Sequence, residues 1–517
     1  MAAILLSRLL ATVRDMVISG LFGQGRNTDI YTAAFNLPDL LFYLIAGGVL
    51  SSAFLPVFVE YMSGGEKERA WRLFSIVASV MTLVVGGFIV FGEIFARQLV
   101  PILAAPGFTG AELDQVAHLT RIILPAQLFF FLGGLMMASL WSHQQFTIPG
   151  LGPSVYNLGI IIGGAVAGTQ LGPHGIEGLA WGALCGAFVG NFLMQFLMLR
   201  RYGLHFKPNL QLRHPDAVRV WKLMIPVIFS LSLPQVDVWV NKWLASFFSG
   251  GIVTAVDRAN RLMQVPIGIF GQAIAIGFYT TLAAQFARGE MKDFRETLNY
   301  GLRAILFISI PSTVLMIVLR VPIIQLLLQH GHFSSTATRE VSALLAFYAL
   351  GIAAWSAQAI VARAFYSLQD TTTPFVVGTV VTVVFVGLNW TLIHVIGYPG
   401  LALATTIAAT LNVSLLLYYL RRKAGGIGAK RIVVSVLKVL AASLVMGLGA
   451  WITLHVLQHR FVITSGTAHL KVVAAIEVLA PLAVGMTLFL ILAKLLKIEE
   501  TATAWNMIKR RFSRSAA

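Results

Sequence analysis

The 517-residue chain is 57% hydrophobic and only 11% charged, whereas a soluble domain carries about 25% charged residues. This composition excludes a soluble globular protein, and the single Cys185 excludes a disulfide framework or a cysteine metal cluster. The net charge is +17, but no basic run is interleaved with aromatic residues on a soluble domain, so we predict no nucleic-acid partner.

Long apolar runs indicate an all-α polytopic membrane protein, because a membrane-spanning helix requires about 20 predominantly apolar residues. We predict about fourteen transmembrane helices along the chain. Their predicted starts lie near Ala2, Ile30, Leu73, Ala117, Leu151, Leu179, Lys222, Gln264, Leu298, Val341, Pro374, Gly400, Ile432 and Lys471.

The first span carries charges in an otherwise apolar helix. Arg8 and Asp15, together with the hydroxyl residues Thr12 and Ser19, lie within about 60° of one another around the helix axis. Arg14 points about 120° away from Arg8. Intramembrane charges are costly and usually face a water-filled path or a partner. We predict that Arg8, Arg14 and Asp15 bind substrate; the alternative is that they pair locally or extend to the membrane interface.

The second span combines polar residues with helix breakers. Asp29, Asn36 and Asp39 occupy its first half, and we expect Pro38 and Pro56 to break the helix. Broken helices near the middle of the bilayer are typical of transporter sites. We predict that the three polar residues bind substrate, with a packing role as the alternative.

Three motifs occur twice in the same order. The pattern D-x8-P-x3-F begins at Asp29 and Asp257, S-x-Q-x4-P begins at Ser142 and Ser367, and a G-L-A segment recurs at an offset of 222 residues. The repeat predicts two parallel six-helix lobes at 1–201 and 222–422, a basic cytoplasmic linker at 202–221, and two further helices with a basic tail at 423–517. Parallel repeats of this kind build transporters whose substrate site lies between the halves.

The eighth span, "DRANRLMQVPIG", stands where the repeat places the partner of the second span. Arg261 is the best candidate to face the first half across a cavity, and Asn260 and Gln264 share one helix face. We predict that these three residues also bind substrate.

Basic residues set the expected orientation. With both termini in the cytoplasm, 24 lysines and arginines lie on the inner side and 8 on the outer side.

The chain contains none of the metalloprotease, nucleophile-elbow or Walker motifs, so we predict a transporter and not an enzyme, without a cofactor or metal. His330 and His332 are interpreted as polar loop residues.

The segments "LLSRLLATVRD", "FGQGRNTD", "AFNLPDLL", "SSAFLPVFVEY", "ANRLMQVPIGIFG" and "GLALATT" resemble the lipid II flippase family (MurJ/MviN), within the multidrug/oligosaccharidyl-lipid/polysaccharide exporters. The similarity extends over nearly the whole chain. It implies two lobes in a V around a central cavity, outward flipping of lipid-linked peptidoglycan precursor, and a lipid-tail groove formed by spans 13 and 14.

The resemblance also implies roles for individual residues. Family arginines that hold the diphosphate correspond to Arg8, Arg14 and Arg261, and Asp15 and Asp29 match family polar positions. The chain departs from the family in its second span, where Phe42 and Gly47 replace an arginine and an acid, and in Asn260 and Gln264, which stand where the family carries acids. The first helix is about ten residues shorter than in relatives, which leaves the start at Met1 open.

A sodium site known from some family members corresponds to Asn241, Asn389 and Thr405, with Phe385 replacing a further polar ligand. Because hard cations favour carboxylate ligands, we expect a degenerate site and little Na⁺ dependence.

The expected function is therefore the translocation of undecaprenyl-diphosphate-linked precursor (lipid II) across the bacterial inner membrane by alternating access. The expected partners are lipid II or a similar polyprenyl-diphosphate glycolipid, membrane lipids and cell-wall synthesis enzymes, and the chain is expected to be a monomer. One alternative is the export of another polyprenyl-linked glycan or of drugs. Another is a membrane scaffold that recruits cell-wall enzymes without transport.

Overall fold

The computed structural model describes residues 2–45, 49–170, 175–248, 250–460 and 467–501. Within these ranges the chain is helical, with no β-strand. The α-helices of the first half are α1 (Ala2–Phe22), α2 (Arg26–Ala34), α3 (Asn36–Ile45), α4 (Val49–Ser63), α5 (Lys67–Leu103), α6 (Gly110–Ile123), α7 (Ala126–Ser142), α8 (Thr147–Gln170), α9 (Glu177–Gly186), α10 (Met194–Arg201) and α11 (Pro215–Ala245).

The second half continues the same architecture. Its helices are α12 (Ile252–Pro266), α13 (Gln272–Ala287), α14 (Met291–Val318), α15 (Arg320–Leu327), α16 (Ser335–Leu350), α17 (Ile352–Ser367), α18 (Thr372–Ile396), α19 (Pro399–Ala424), α20 (Ala429–Arg460) and α21 (Thr467–Leu495). Two π-helical segments, Ala187–Leu193 and Ile267–Gly271, join α9 to α10 and α12 to α13.

The predicted all-α polytopic class is confirmed. In the described residues, 10 helical segments are long and apolar enough to cross a bilayer, or 11 if α16 and α17, bent by 42° around Gly351, form one span. The predicted first, second and seventh spans coincide with α1, with α2–α4 and with α11. A total of fourteen spans stays a prediction.

Two compact units emerge from the packing. The first comprises Met1–Thr254 with His330–Ser334, and the second comprises Ala255–Gln329 with Ser335–Ala517. Helix α11 packs on α3, α4 and α5 within the first unit. The domain boundaries at 201, 222 and 422 stay predictions, and residues 502–517 of the basic tail lie outside the described part of the chain.

An ion-pair cluster fixes the beginning of α11 in the first unit. The Arg69 guanidinium donates to both oxygens of the buried Asp216 carboxylate, at 2.7 and 2.8 Å, and the Tyr61 hydroxyl donates to the same group at 2.8 Å. The hydrogen bonds from Arg69 hold the pKa of Asp216 below its ordinary value. The cluster therefore anchors the beginning of α11 to α4 and α5.

An aromatic cluster forms much of the core of the first unit. Phe58 of α4 packs on Trp71 of α5 with ring centroids 5.5 Å apart, and Phe54 of α4 packs on Phe58 and on Phe74 of α5. Buried aromatic side chains contribute large apolar areas, so this cluster holds α4, α5 and α7 in one body.

The second unit buries its own core between α14 and the hairpin formed by α20 and α21. Ile310, Met446 and Phe489 meet there, and Phe307 packs on Phe489 with ring centroids 5.4 Å apart. Beyond α21, Glu499 and Glu500 approach the Arg303 guanidinium of α14 at 2.7 and 3.2 Å. The end of the hairpin is therefore fixed to α14.

The internal repeat has a backbone counterpart. Gln144, just after α7, and Gln369, just after α17, both adopt left-handed backbone angles, with φ of 59° and 57°. Non-glycine residues rarely adopt this conformation, so two occurrences at equivalent positions of a repeated motif support the repeat. The helical hairpins α8–α9 and α18–α19 follow these turns in the two halves.

The two prolines predicted to break the second span behave differently. Pro38 lies in the first turn of α3, directly after a break at Phe35, where a proline needs no helical hydrogen-bond donor. Pro56 lies inside α4, which continues to Ser63, so the predicted break at Pro56 is wrong. A proline inside a membrane helix is tolerated when neighbouring groups satisfy the released carbonyl.

Candidate functional site

The charged pair of α1 is held by α8. The Arg14 guanidinium donates to the Asp15 carboxylate at 2.7 and 3.0 Å and to the Asn157 side-chain oxygen at 3.0 Å. Asn157 in turn donates to the carbonyls of Pro153 and Ser7 at 2.9 and 3.5 Å. Arg14 is only 9% exposed, and its orientation is fixed by three hydrogen bonds to two groups, Asp15 and Asn157.

Arg8 lies two turns earlier on α1 and differs from Arg14. It is exposed, and its backbone carbonyl accepts a hydrogen bond from the Thr12 hydroxyl at 3.1 Å. A guanidinium in this position is accessible to an anionic ligand. Of the two α1 arginines predicted to bind substrate, Arg8 is therefore accessible and Arg14 is buried.

Asp29 begins the polar part of α2 and is fully buried. One carboxylate oxygen accepts hydrogen bonds from the backbone amide and the hydroxyl of Thr254, both at 2.8 Å, and the other accepts from the Gly251 amide at 2.6 Å. Amides at the first turn of a helix lack intrahelical acceptors, so the carboxylate acts there as a cap. The structure thus gives Asp29 a clear role at the beginning of α12, and a substrate contact by Asp29 stays a prediction.

The other two polar residues of the second span, Asn36 and Asp39, lie in different surroundings. The Asn36 amide is buried and donates to the Ala104 carbonyl at 2.9 Å, which fixes α3 to the end of α5. Asp39 is half-buried one turn later. Phe42 packs edge-on against Phe130 at 5.5 Å, as an apolar residue does in a core, and Gly47 lies outside the described residues.

The polar residues of α12 lie in the second unit. Arg261 donates to the Asp257 carboxylate at 2.7 Å along the helix, and its side chain remains 47% exposed. Asn260 is half-buried and Gln264 is exposed, whereas Arg258 is buried. Arg261 therefore presents an accessible guanidinium that a neighbouring acid orients.

The backbone changes one turn after Arg261. Pro266 cannot donate a backbone hydrogen bond, and the π-helical segment Ile267–Gly271 follows it. π-helical insertions inside α-helices are frequent at functional sites. The motif "NRLMQVPIG" thus combines an exposed cation with a local helix irregularity.

The three positions predicted to form a degenerate sodium site are buried. Asn241 belongs to the first unit, and Asn389 and Thr405 belong to the second. The Asn389 amide donates to the Phe385 carbonyl at 3.2 Å, and the Thr405 hydroxyl donates to the Leu401 carbonyl at 3.0 Å. In the described part of the chain, no group of three or more His, Cys, Asp or Glu side chains is arranged to hold a metal.

A contact at the end of α1 was not predicted from the sequence. Within the first unit, His332 donates its backbone amide to the Gly20 carbonyl at 3.0 Å. A Cβ atom on Gly20 would lie 2.7 Å from the His330 ring, and one on Gly331 would lie 2.2 Å from the Gly20 carbonyl oxygen. The glycines of "ISGLFGQG" and "HGH" were the available signal, because glycine often marks a close approach of two backbones.

Comparisons with known proteins agree with this architecture. A family model described as "Lipid II flippase MurJ" matches residues 18–471. The chain is 28% identical over 429 residues to "Lipid II flippase MurJ" of Burkholderia cenocepacia, covering 81% of this chain and 82% of the relative. It is 28% identical over 438 residues to "Probable lipid II flippase MurJ" of Vibrio cholerae, covering 82% and 83%.

Solved structures show the same fold. The structure titled "Lipid II flippase MurJ, inward closed conformation" is similar with a TM-score of 0.78 and 26% identity, covering 96% of this chain and 97% of the other. An inward-facing multidrug resistance MATE family transporter of the MOP superfamily has a TM-score of 0.64 at 16% identity, covering 81% and 94%. The latter similarity concerns the fold alone.

Proposed function

The chain belongs to the lipid II flippase family MurJ, and we propose from this membership that it carries lipid II from the inner to the outer leaflet by alternating access. The family match over residues 18–471 is the observation that carries the proposal. We place the protein in the bacterial inner membrane as a monomer with both termini in the cytoplasm. The excess of basic residues on the expected inner side supports this orientation. Its role is transport, without a catalytic step or cofactor.

Arginines are suited to the proposed substrate. A guanidinium forms paired hydrogen bonds with phosphate oxygens and keeps its charge when partly buried. We propose that Arg8 and Arg261 contact the diphosphate directly, because both side chains are accessible in their own units. Arg14 contributes positive charge at a fixed position, since Asp15 and Asn157 already hold it.

The remaining predicted site residues have supporting roles in this proposal. Asp15 orients Arg14, and Asp29 and Asn36 hold helix ends by bonds to backbone groups. Asp39 and the residues Asn260 and Gln264 provide polar contacts to the sugar or peptide part of the substrate. The elements that alternate are the two lobes, 1–201 and 222–422. The linker 202–221 joins them, and residues 423–517 follow the second lobe.

Membrane voltage is the proposed source of energy. The substrate class carries a diphosphate and peptide carboxylates, and moving one negative charge outward across an inside-negative membrane is favourable by about 2.3 kcal/mol per 100 mV. After release, the arginines of the empty protein are drawn back towards the negative side. Both half-cycles then use the same field.

A liposome assay tests the proposal. Purified protein is reconstituted with lipid II or with an O-antigen-type polyprenyl-diphosphate lipid, and translocation is followed after imposing a potassium diffusion potential at constant pH and Na⁺. Faster movement of lipid II than of the other lipid, accelerated by inside-negative voltage, is the expected result. Failure to move lipid II rejects the function, whereas movement that is independent of voltage rejects only the energy source.

A further inference from the structure

Two histidines near one end of α20 form a close pair. His455 and His459 are separated by one helical turn, both side chains are exposed, and their Nε2 atoms lie 3.1 Å apart. Histidines four residues apart on a helix project from the same face, which is the arrangement used by helical zinc-binding motifs. We propose that His455 and His459 form a binding site for a divalent transition-metal ion such as Zn²⁺.

The spacing of the two nitrogens fits such an ion. Nitrogen ligands bind tetrahedral zinc at about 2.0–2.1 Å, which places two of them about 3.3–3.4 Å apart. The observed separation of 3.1 Å requires only a small rotation of either ring to reach this value. The pair therefore needs little reorganisation to bind an ion through two neutral imidazole nitrogens.

An aromatic neighbour restricts the first ring. The indole of Trp451 stacks on His455 with centroids 5.3 Å apart and an interplanar angle of 7°. This contact limits rotation of the His455 ring, so less conformational entropy is lost when a metal binds. The two histidine rings themselves are nearly perpendicular, at 89°.

The position on α20 makes the pair accessible to ions in water. The helix has 32 residues and is thus about 48 Å long, well beyond the about 30 Å of the hydrocarbon core. Lys430 and Arg431 lie in its first turn, and the histidine pair lies in its last two turns. Because the basic end marks one membrane surface, the pair lies beyond the hydrocarbon at the other.

The chemistry of the site defines its selectivity. Imidazole nitrogen binds Zn²⁺, Ni²⁺ and Cu²⁺, whereas Mg²⁺ and Ca²⁺ prefer oxygen ligands. Among the described residues, no third His, Cys, Asp or Glu is grouped with the pair, so water fills the remaining coordination positions of the ion. The bound ion would link two successive turns and stabilise this end of α20.

The chain contains a matched control. His394 of α18 is also exposed and also lies four residues after a tryptophan, Trp390, with ring centroids 5.2 Å apart. The residue four positions further on is Tyr398, so this histidine has no imidazole in the following turn. The variant His394→Gln therefore removes a similar exposed histidine without removing a pair.

Calorimetric titration of ZnCl₂ into the full chain, purified in detergent without a polyhistidine tag, tests the proposal. The titration is run at mildly alkaline pH, because a metal ion binds the deprotonated imidazole nitrogen. The wild type and His394→Gln should bind zinc at one saturable site that Ni²⁺ blocks and Mg²⁺ does not. Loss of an outer-sphere partner alone weakens metal affinity about 10- to 100-fold, so His455→Gln and His459→Gln should each weaken it at least tenfold.

Two results would overturn the assignment. One is the absence of saturable zinc binding by the wild type, and the other is equal zinc affinity in the wild type and both pair variants. Size-exclusion profiles identical to the wild type establish that the variants are folded, which is expected because both side chains are exposed. The outcome is independent of lipid transport and does not depend on the proposed flippase activity.

Discussion

Replacement of Arg261 by alanine provides the most specific test of the substrate site. The side chain is 47% exposed, and its ion pair with Asp257 is formed within one helix at 2.7 Å. Pairs of this kind contribute about 0.3–0.5 kcal/mol to stability. We therefore expect Arg261→Ala to leave the thermal unfolding of the protein nearly unchanged.

The expected effect on transport is much larger. A hydrogen bond to a charged group contributes about 1.5–3 kcal/mol, so losing the contact between the guanidinium and the diphosphate should reduce transport about 10- to 150-fold. Arg261→Lys keeps the charge but not the planar fork, and should give an intermediate loss. The assay is lipid II translocation in liposomes, with thermal unfolding measured on the same preparations.

Arg288→Ala is the matched control. Arg288 is an exposed arginine of the same unit and is likewise paired with a neighbouring acid, Glu290, at 2.9 Å. Wild-type transport by Arg261→Ala, or an equal loss in Arg288→Ala, would refute the reasoning. Arg14→Ala is a less specific probe, because it also removes the hydrogen bonds that Asp15 and Asn157 accept from Arg14, and losing a hydrogen bond to a charged group costs about 1.5–3 kcal/mol.

Three further predictions concern stability and ion dependence. Burial alone would raise the pKa of Asp370, but hydrogen bonds from Lys423 and Thr373 hold this pKa at about 2. The wild type should therefore be more stable than Asp370→Asn by about 1 kcal/mol above pH 3.8. In thermal-unfolding series, this difference should disappear as the pH falls towards 2. Gln144→Val and Gln369→Val should each lower the unfolding temperature, because a β-branched residue adopts these left-handed backbone angles less readily than glutamine does. The glycine variants should not lower it, since glycine lacks the Cβ that costs about 1–2 kcal/mol in this conformation. Replacing Na⁺ by K⁺ should leave the transport rate in liposomes unchanged, and a rate that stops in K⁺ would contradict the view that the sodium site is degenerate.

Features that depend on local sequence could be predicted. The apolar length of segments such as α5 and α18 is sufficient to indicate membrane helices, because the bilayer imposes the same requirement on every span. The repeated S-x-Q-x4-P motif likewise corresponds to the same left-handed turn at Gln144 and Gln369. These features follow from patterns within about 25 residues of chain.

Features that depend on distant partners could not be predicted. Arg14 is separated by 143 residues from Asn157, and Asp29 by 225 from Thr254. A charge in an apolar helix indicates that a partner exists, but the identity of the partner depends on which helices pack together. The charged residues of apolar helices can therefore be recognised in the sequence, but those that hold the fold cannot be distinguished there from those open to a ligand.

The hydrogen bonds of the acidic residues suggest how that distinction can be made. A carboxylate such as Asp29, which is 0% exposed and already accepts three hydrogen bonds, has no donor to offer to a diphosphate and would repel it. The same argument applies to Asp15, whose partner is Arg14. An anionic ligand instead requires donors that remain accessible, as they do at Arg8 and Arg261. We infer that Asp15 holds Arg14 in place, that Asp29 holds the beginning of α12, and that the accessible arginines carry the binding energy for the diphosphate.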